Sequence, residues 1–226
     1  PYWAPDTQIK MCALGAQDAS VGADGKNCQS EGGYKDIGCG CGPNLKWCEY
    51  KSNQKLLGYM VEDVDRRIRA HLAKDEPYIE LLTNTSAYVN GPLAYYLKNL
   101  TFQSRTIKVK PLAISNEQIP DMDFLDKDTW VEIPLAPYHS GLLTSPAFLL
   151  RFQTNRARAT QYYTKFLCEP FQAPAGGLPP VKAEDVLVTD LQIRAGCSYC
   201  HALLEPAASY WGRWVEVGSG FRNIGS

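Results

Sequence analysis

The residues with the clearest chemical capacity are Cys197-Ser198-Tyr199-Cys200-His201. C-x-x-C-H is the spacing for covalent attachment of a c-type haem. Two thiols one turn apart reach the two vinyl groups of one porphyrin as thioethers. The imidazole that follows falls under the iron as proximal ligand. The chain holds 8 Cys and 3 His in 226 residues. A shuffle of that composition would contain the pattern about 0.004 times, so chance explains it poorly. Two other chemistries use the same thiols. One is half of a zinc site, completed by Cys39, Cys41 or Cys48. The other is a redox dithiol on a thioredoxin-like fold, which would need a βαβ pattern that does not precede the motif.

The residues that follow favour haem. Pro206 stands where a proline often packs on the proximal ring and where a backbone carbonyl accepts the Nδ1 proton. Tyr199, Tyr210, Trp211 and Trp214 supply aromatic walls for a macrocycle, or ordinary core. For the opposite side of the iron, His139 is the first candidate, with Met122 and His71 behind it. Bis-His ligation lowers the potential and Met raises it.

These residues need elements to position them. Residues 53–74 predict a helix, because Leu56, Leu57, Met60, Val61, Val64, Ile68, His71 and Leu72 recur at three- and four-residue spacing. Glu62, Asp63, Asp65, Arg66, Arg67 and Arg69 fill the other side. A core role is the default for His71. Residues 78–100 read as a second helical stretch, with Asn84 or Thr85 as a cap inside it. A turn falls at Asn90-Gly-Pro92, and Pro92 suits the first turn of a short helix. Short strands or extended segments are expected over 101–135, with Met122 in a loop. Further helices are expected after Thr144 or Ser145, with Pro146 at the first position, and at 156–168.

Composition sets the outer bounds. Hydrophobic residues make up 45% and charged residues 21%, ordinary values for a globular protein. A net charge of −1 favours neither nucleic acid nor an anionic membrane as partner. No apolar run approaches the ~20 residues needed to span a bilayer. Eight Cys suit an oxidising compartment. With two thiols used by haem, Cys12, Cys28, Cys39, Cys41, Cys48 and Cys168 are left for disulfides. The chain begins with Pro1, without a charged-then-apolar leader, and reads as a mature product whose export signal is gone.

The expected fold class is mainly α with short β segments. Residues 1–51 form a Cys-rich loop segment stapled by disulfides, because they hold too little apolar material to order themselves. Residues 52–170 form a helical body, 171–185 a Pro/Gly-rich linker, and 186–226 a cytochrome-c-like haem segment.

Three blocks appear in one order: LLTNTSAYVNGPLAYYL, then HSGLLTSPAFLLRFQTNRARATQYYTKFLCEPF, then CSYCHALLEP with YWGRW. That order resembles the secreted haem-binding proteins of planctomycetes and related bacteria. In these, two domains of unknown function lie side by side and the second ends in a single c-type haem motif. The resemblance spans roughly residues 52–216 and excludes the Cys-rich start. It implies export, one covalent haem c held by Cys197 and Cys200, and His201 as proximal ligand. Members of that family usually carry Arg where His139 stands.

Three functions follow as expectations. The first is an exported cytochrome that transfers electrons to a redox partner protein, such as another cytochrome in an exported assembly. The second is a peroxidase- or oxidase-type haem enzyme with an open distal site, His139 or His71 then serving as base. The third is a structural or docking subunit of a larger exported redox complex. G-x-S-x-G, H-E-x-x-H and P-loop motifs are all missing from the sequence.

Overall fold

A computed structural model describes residues 21, 25–28, 30, 53–99, 102–103, 108–110, 116–172, 175–216 and 220–222. Cys12, Cys39, Cys41 and Cys48 lie outside the described residues. Cys28 is fully buried and disulfide-bonded. The chain divides into two compact units, Pro1–Ala147 with Gly220–Ser226, and Phe148–Ser219. Among the described residues it is mainly helical, with two small sheets. Among the described residues, no helix is long and apolar enough to cross a membrane.

In the first unit, α1 (Asn53–Ala73) is followed by α2 (Tyr78–Thr83), β1 (Ser86–Val89) and α3 (Gly91–Asn99). α1 forms as its periodicity predicts, but the face it buries differs from the predicted one. The buried line is Leu56, Met60, Asp63, Arg67 and His71. Leu57, Val61 and Leu72 face solvent. Asp63 and Arg67 sit one turn apart, so their charges cancel where they enter the core. Arg67 Nε and Nη2 donate to the two Asp63 carboxylate oxygens at 2.9 and 2.8 Å. The Tyr88 N–H donates to Asp63 Oδ1 at 2.6 Å, and Arg67 Nη1 donates to the Gly141 carbonyl at 3.2 Å. The pair therefore staples α1 to β1 and to the 3₁₀ turn Gly141–Thr144. Apolar residues alone would not fix that register.

Ser86–Val89 is a strand, where the sequence reads as helix. β1 pairs antiparallel with β4 (Val131–Pro134), in the register Ala87↔Ile133 and Val89↔Val131. Ala87, Val89 and Ile133 are buried, the two-residue period of a half-covered strand. Asn84 caps the end of α2 rather than the start of a helix, and its Oδ1 accepts the Ser86 N–H at 2.6 Å. Asn90 caps α3, accepting the Leu93 N–H at 3.1 Å, and Pro92 lies in the first turn as expected. β2 (Phe102–Gln103), β3 (Lys108–Lys110) and β5 (Phe221–Arg222) form an antiparallel three-stranded sheet in the order β2-β3-β5.

Gly141 has φ +44°, and a Cβ there would run into the Leu81 carbonyl. The Gly141 N–H donates to Asn84 O at 2.8 Å, so the backbone has no room to retreat. Gly141→Ala is expected to cost about 1–3 kcal/mol, read as a lower urea midpoint with an unchanged slope. An unchanged midpoint would mean the turn relaxes freely.

In the second unit, α4 (Pro146–Arg151) carries the boundary between the units. It is followed by α5 (Asn155–Gln161) and α6 (Ser198–Ala208). Thr154 caps α5, its Oγ1 accepting the Ala157 N–H at 3.1 Å. The predicted helix at 156–168 is α5 continued by a π turn, Tyr162–Phe166. Cys168 then takes φ +57° and is an exposed free thiol, so it does not join the disulfide set expected for it. Arg158 is fully buried. Its guanidinium donates to the carbonyls of Phe152, Leu149 and Val215 and to Asn155 Oδ1. α5 packs on α6, and Leu204, Ala207, Ala208, Trp211 and Trp214 are buried there. The division between units therefore does not fall at 171–185. That Pro/Gly-rich stretch belongs to the second unit, because residues 148–166 pack with the segment after it.

Candidate functional site

The C-x-x-C-H residues open α6. The Asp190 carbonyl accepts the Arg194 N–H at 3.0 Å, and the Arg194 carbonyl accepts the N–H groups of Cys197 and Ser198 at 3.0 and 2.9 Å. Gly196 takes φ +75°, a conformation that suits glycine, and brings the chain into the helix. The Cys197 carbonyl then accepts the N–H groups of Cys200 and His201 at 3.2 and 3.1 Å. All three residues are thus held on one closed turn. Cys197 and Cys200 are free thiols, neither fully buried nor fully exposed.

His201 Nδ1 lies 2.6 Å from Glu205 Oε1, one turn further along. Arg156 Nε on α5 donates to the same oxygen at 2.7 Å. The carboxylate therefore sits between two cationic or donor groups on two helices. Desolvation raises the Glu205 carboxyl, but hydrogen bonds and charge from His201 and Arg156 outweigh it and hold the group below its ordinary value. With Nδ1 engaged, Nε2 is the nitrogen left to bind a metal.

Where the sequence predicts a backbone carbonyl near Pro206 as the partner of His201 Nδ1, Glu205 takes that place. The Pro206 carbonyl points along the helix axis and accepts the Ser209 hydroxyl at 2.6 Å. Pro206 itself is exposed. The i, i+4 spacing instead sets Glu205 beside His201 on one helix face. The aromatic residues divide by burial. Trp211 and Trp214 are core, Trp211 stacking on Phe148 with ring centroids 6.2 Å apart. Tyr199 and Tyr210 are exposed.

The three candidate distal ligands belong to the first unit. His139 is buried, with Nδ1 at 3.2 Å from Thr144 Oγ1. Desolvation and the charge of Arg67 push it down to about 3, so it is neutral at ordinary pH. His71 is buried, with Nδ1 at 3.3 Å from Glu76 Oε2. It lines a cavity of about 20 Å³, together with Arg67, Tyr88 and Glu132. That is room for one water. Met122 is half-buried in a loop, as the sequence predicts.

Among the described residues, no group of three or more His, Cys, Asp and Glu is placed to hold a bare metal ion. A c-type haem asks for less, since the porphyrin supplies four of the iron's ligands and one imidazole a fifth. Cys39, Cys41 and Cys48, the partners a zinc site would use, lie outside the described residues.

One further observation bears on the fit. Arg194 Nε is buried without a hydrogen-bond partner, three residues before Cys197. Orphaned buried donors are rare and ask for an acceptor. A haem brings two carboxylates of the matching charge.

Sequence reasoning did not single out Glu205, Arg156 or Arg194. Glu205 carried a usable signal, a carboxylate four residues after a histidine on a helix. Arg156 carried none, because its partner is 49 positions away. Compared with protein-family models, with curated proteins and with solved structures, the chain matches none.

Proposed function

We propose that this chain is an exported c-type cytochrome with one covalent haem. The observation that carries the proposal is the closed turn that joins two free thiols to an imidazole whose Nδ1 is already engaged. Cys197 and Cys200 hold the porphyrin as thioethers, and His201 ligates the iron through Nε2. Arg194 serves a propionate. When bound, the haem supplies one-electron exchange with a redox partner protein, such as another cytochrome of an exported assembly. The protein's own part is to orient His201 through Glu205 and to set the charge near the iron. Export belongs to the proposal because bacterial c-type attachment takes place outside the cytoplasm. The resemblance to the secreted planctomycete haem proteins supports the same reading.

The test is a pyridine haemochrome spectrum with intact mass, on chain produced with c-type maturation. The expected result is a thioether-haem spectrum and a mass increase of one haem that acidified acetone does not remove. The double variant C197S/C200S is expected to carry no covalent pigment. A colourless wild-type chain, or a fully extractable pigment, would overturn the reading.

A second reading rests on a separate observation. Residues 148–219 contain no His besides His201 and no Met. The second unit's own residues thus include neither common distal ligand, and an open distal position would suit a haem enzyme. High-spin ferric EPR with rapid cyanide binding is expected on this reading. A low-spin signal that ignores cyanide would return the protein to simple electron transfer.

A further inference from the structure

We infer that Glu205, steadied by Arg156, is a positioning residue that holds His201 as its Nδ1–H tautomer and lowers the reduction potential of the iron. The inference rests on the haem reading for its second half, while the tautomer half concerns the polypeptide alone.

Three facts carry it. The Nδ1–Oε1 distance of 2.6 Å is that of a short, charge-assisted bond. The carboxylate is only 24% exposed, so water competes weakly for it. Arg156, on a different helix, pins the same oxygen at 2.7 Å and keeps it from swinging away. A free neutral imidazole prefers its proton on Nε2, the nitrogen the metal needs. A carboxylate on Nδ1 reverses that preference and leaves Nε2 bare. It also makes the imidazole a stronger donor to a metal than a neutral backbone carbonyl would. A more strongly donating imidazole would stabilise ferric iron over ferrous. The Glu205 charge acts in the same direction, and Arg156 tempers it.

The first arm of the test needs no haem. The full chain is produced without maturation, labelled with ¹⁵N, and its histidine ring nitrogens are read by long-range proton–nitrogen NMR in mildly alkaline solution. His201 is expected with its proton on Nδ1 and Nε2 bare. Glu205→Ala is expected to return it to the Nε2–H form, while Arg156→Gln keeps Nδ1–H. A wild-type Nε2–H signal, or no change in Glu205→Ala, would overturn the positioning role.

The second arm uses the matured protein and spectroelectrochemistry at fixed pH. Glu205→Gln keeps a neutral acceptor and the side-chain shape, so folding is spared. It is expected to shift the ferric-to-ferrous ratio at a fixed poise about tenfold toward ferrous, equivalent to about 59 mV for a one-electron couple. Arg156→Gln is expected to move it the other way. A merely structural tie between α5 and α6 would lower stability in both variants and leave the potential alone. The haemochrome spectrum is recorded first: a colourless chain overturns the haem reading, whereas a coloured chain whose potential ignores Glu205→Gln overturns this inference by itself.

Discussion

Replacing Arg158 with Ala is expected to destabilise the protein by about 3–5 kcal/mol, because several buried acceptors lose their donor at about 1–3 kcal/mol each. Native domains are stable by only about 5–15 kcal/mol, so a substantial share of the stability is at stake. Arg158 is completely buried. Its Nε donates to the Phe152 carbonyl at 2.8 Å, and Nη2 donates to the carbonyls of Leu149 and Val215 at 3.3 and 2.9 Å, joining the end of α4 to the tail after Trp214. Nη1 adds Asn155 Oδ1 at 2.8 Å. Desolvation pushes the guanidinium down to about 10 against the raising charge of Glu216, so it keeps its charge at neutral pH. Removing it takes a donor from three carbonyls, two of them at the end of α4. Lys cannot rescue the site, because a point charge lacks the planar fork that serves four acceptors from one place. Urea unfolding of Arg158→Ala, Arg158→Lys and Arg158→Met measures this. Midpoints equal to wild type in all three would show that the carbonyls find water instead.

The second large effect is acid sensitivity through His139. Burial and the nearby Arg67 guanidinium depress it from 6.5 to about 3 in the folded state. The unfolded chain then binds one more proton than the folded chain between those values. Stability therefore rises with pH through the window. It is fully present above about 6.5 and is lost as pH falls toward 3, at about 1.4 kcal/mol per pH unit and roughly 5 kcal/mol in all. Carboxylates join the titration near pH 4. The clean interval is therefore 6.5 down to 5, where about 2 kcal/mol is expected to vanish. His139→Gln keeps a group able to meet Thr144 Oγ1 but takes up no proton. Its urea midpoint is expected to stay flat over that interval while the wild type falls. Equal slopes for the two proteins would remove His139 as the cause.

Much of this molecule was legible because it is written in short-range spacing. α1 follows from residues three and four apart, and the α3 start from Asn90-Gly-Pro92. The helix after Ser145 follows from Pro146. Ser86–Val89 was misread for a physical reason. Four residues of mixed polarity cannot distinguish two-residue from 3.6-residue periodicity, and the partner strand at Val131–Pro134 decides. The face of α1 was misread for another reason. Asp63 and Arg67 look like solvent-facing charges until each has a partner that makes burial tolerable. The boundary between the units was placed at a Pro/Gly-rich stretch, because composition marks a linker but not which side of it the chain packs on.

The amino-acid sequence alone determined that two thiols and an imidazole occupy one helical turn at Cys197, Cys200 and His201, since that depends only on residue order and helix geometry. Tertiary structure alone decided what holds α5 to the Glu205 carboxylate behind the imidazole. Arg156 reaches Glu205 across 49 positions, and Arg158 reaches Val215 across 57. Such pairs form only once apolar burial has brought distant segments together and removed the water that would otherwise satisfy them.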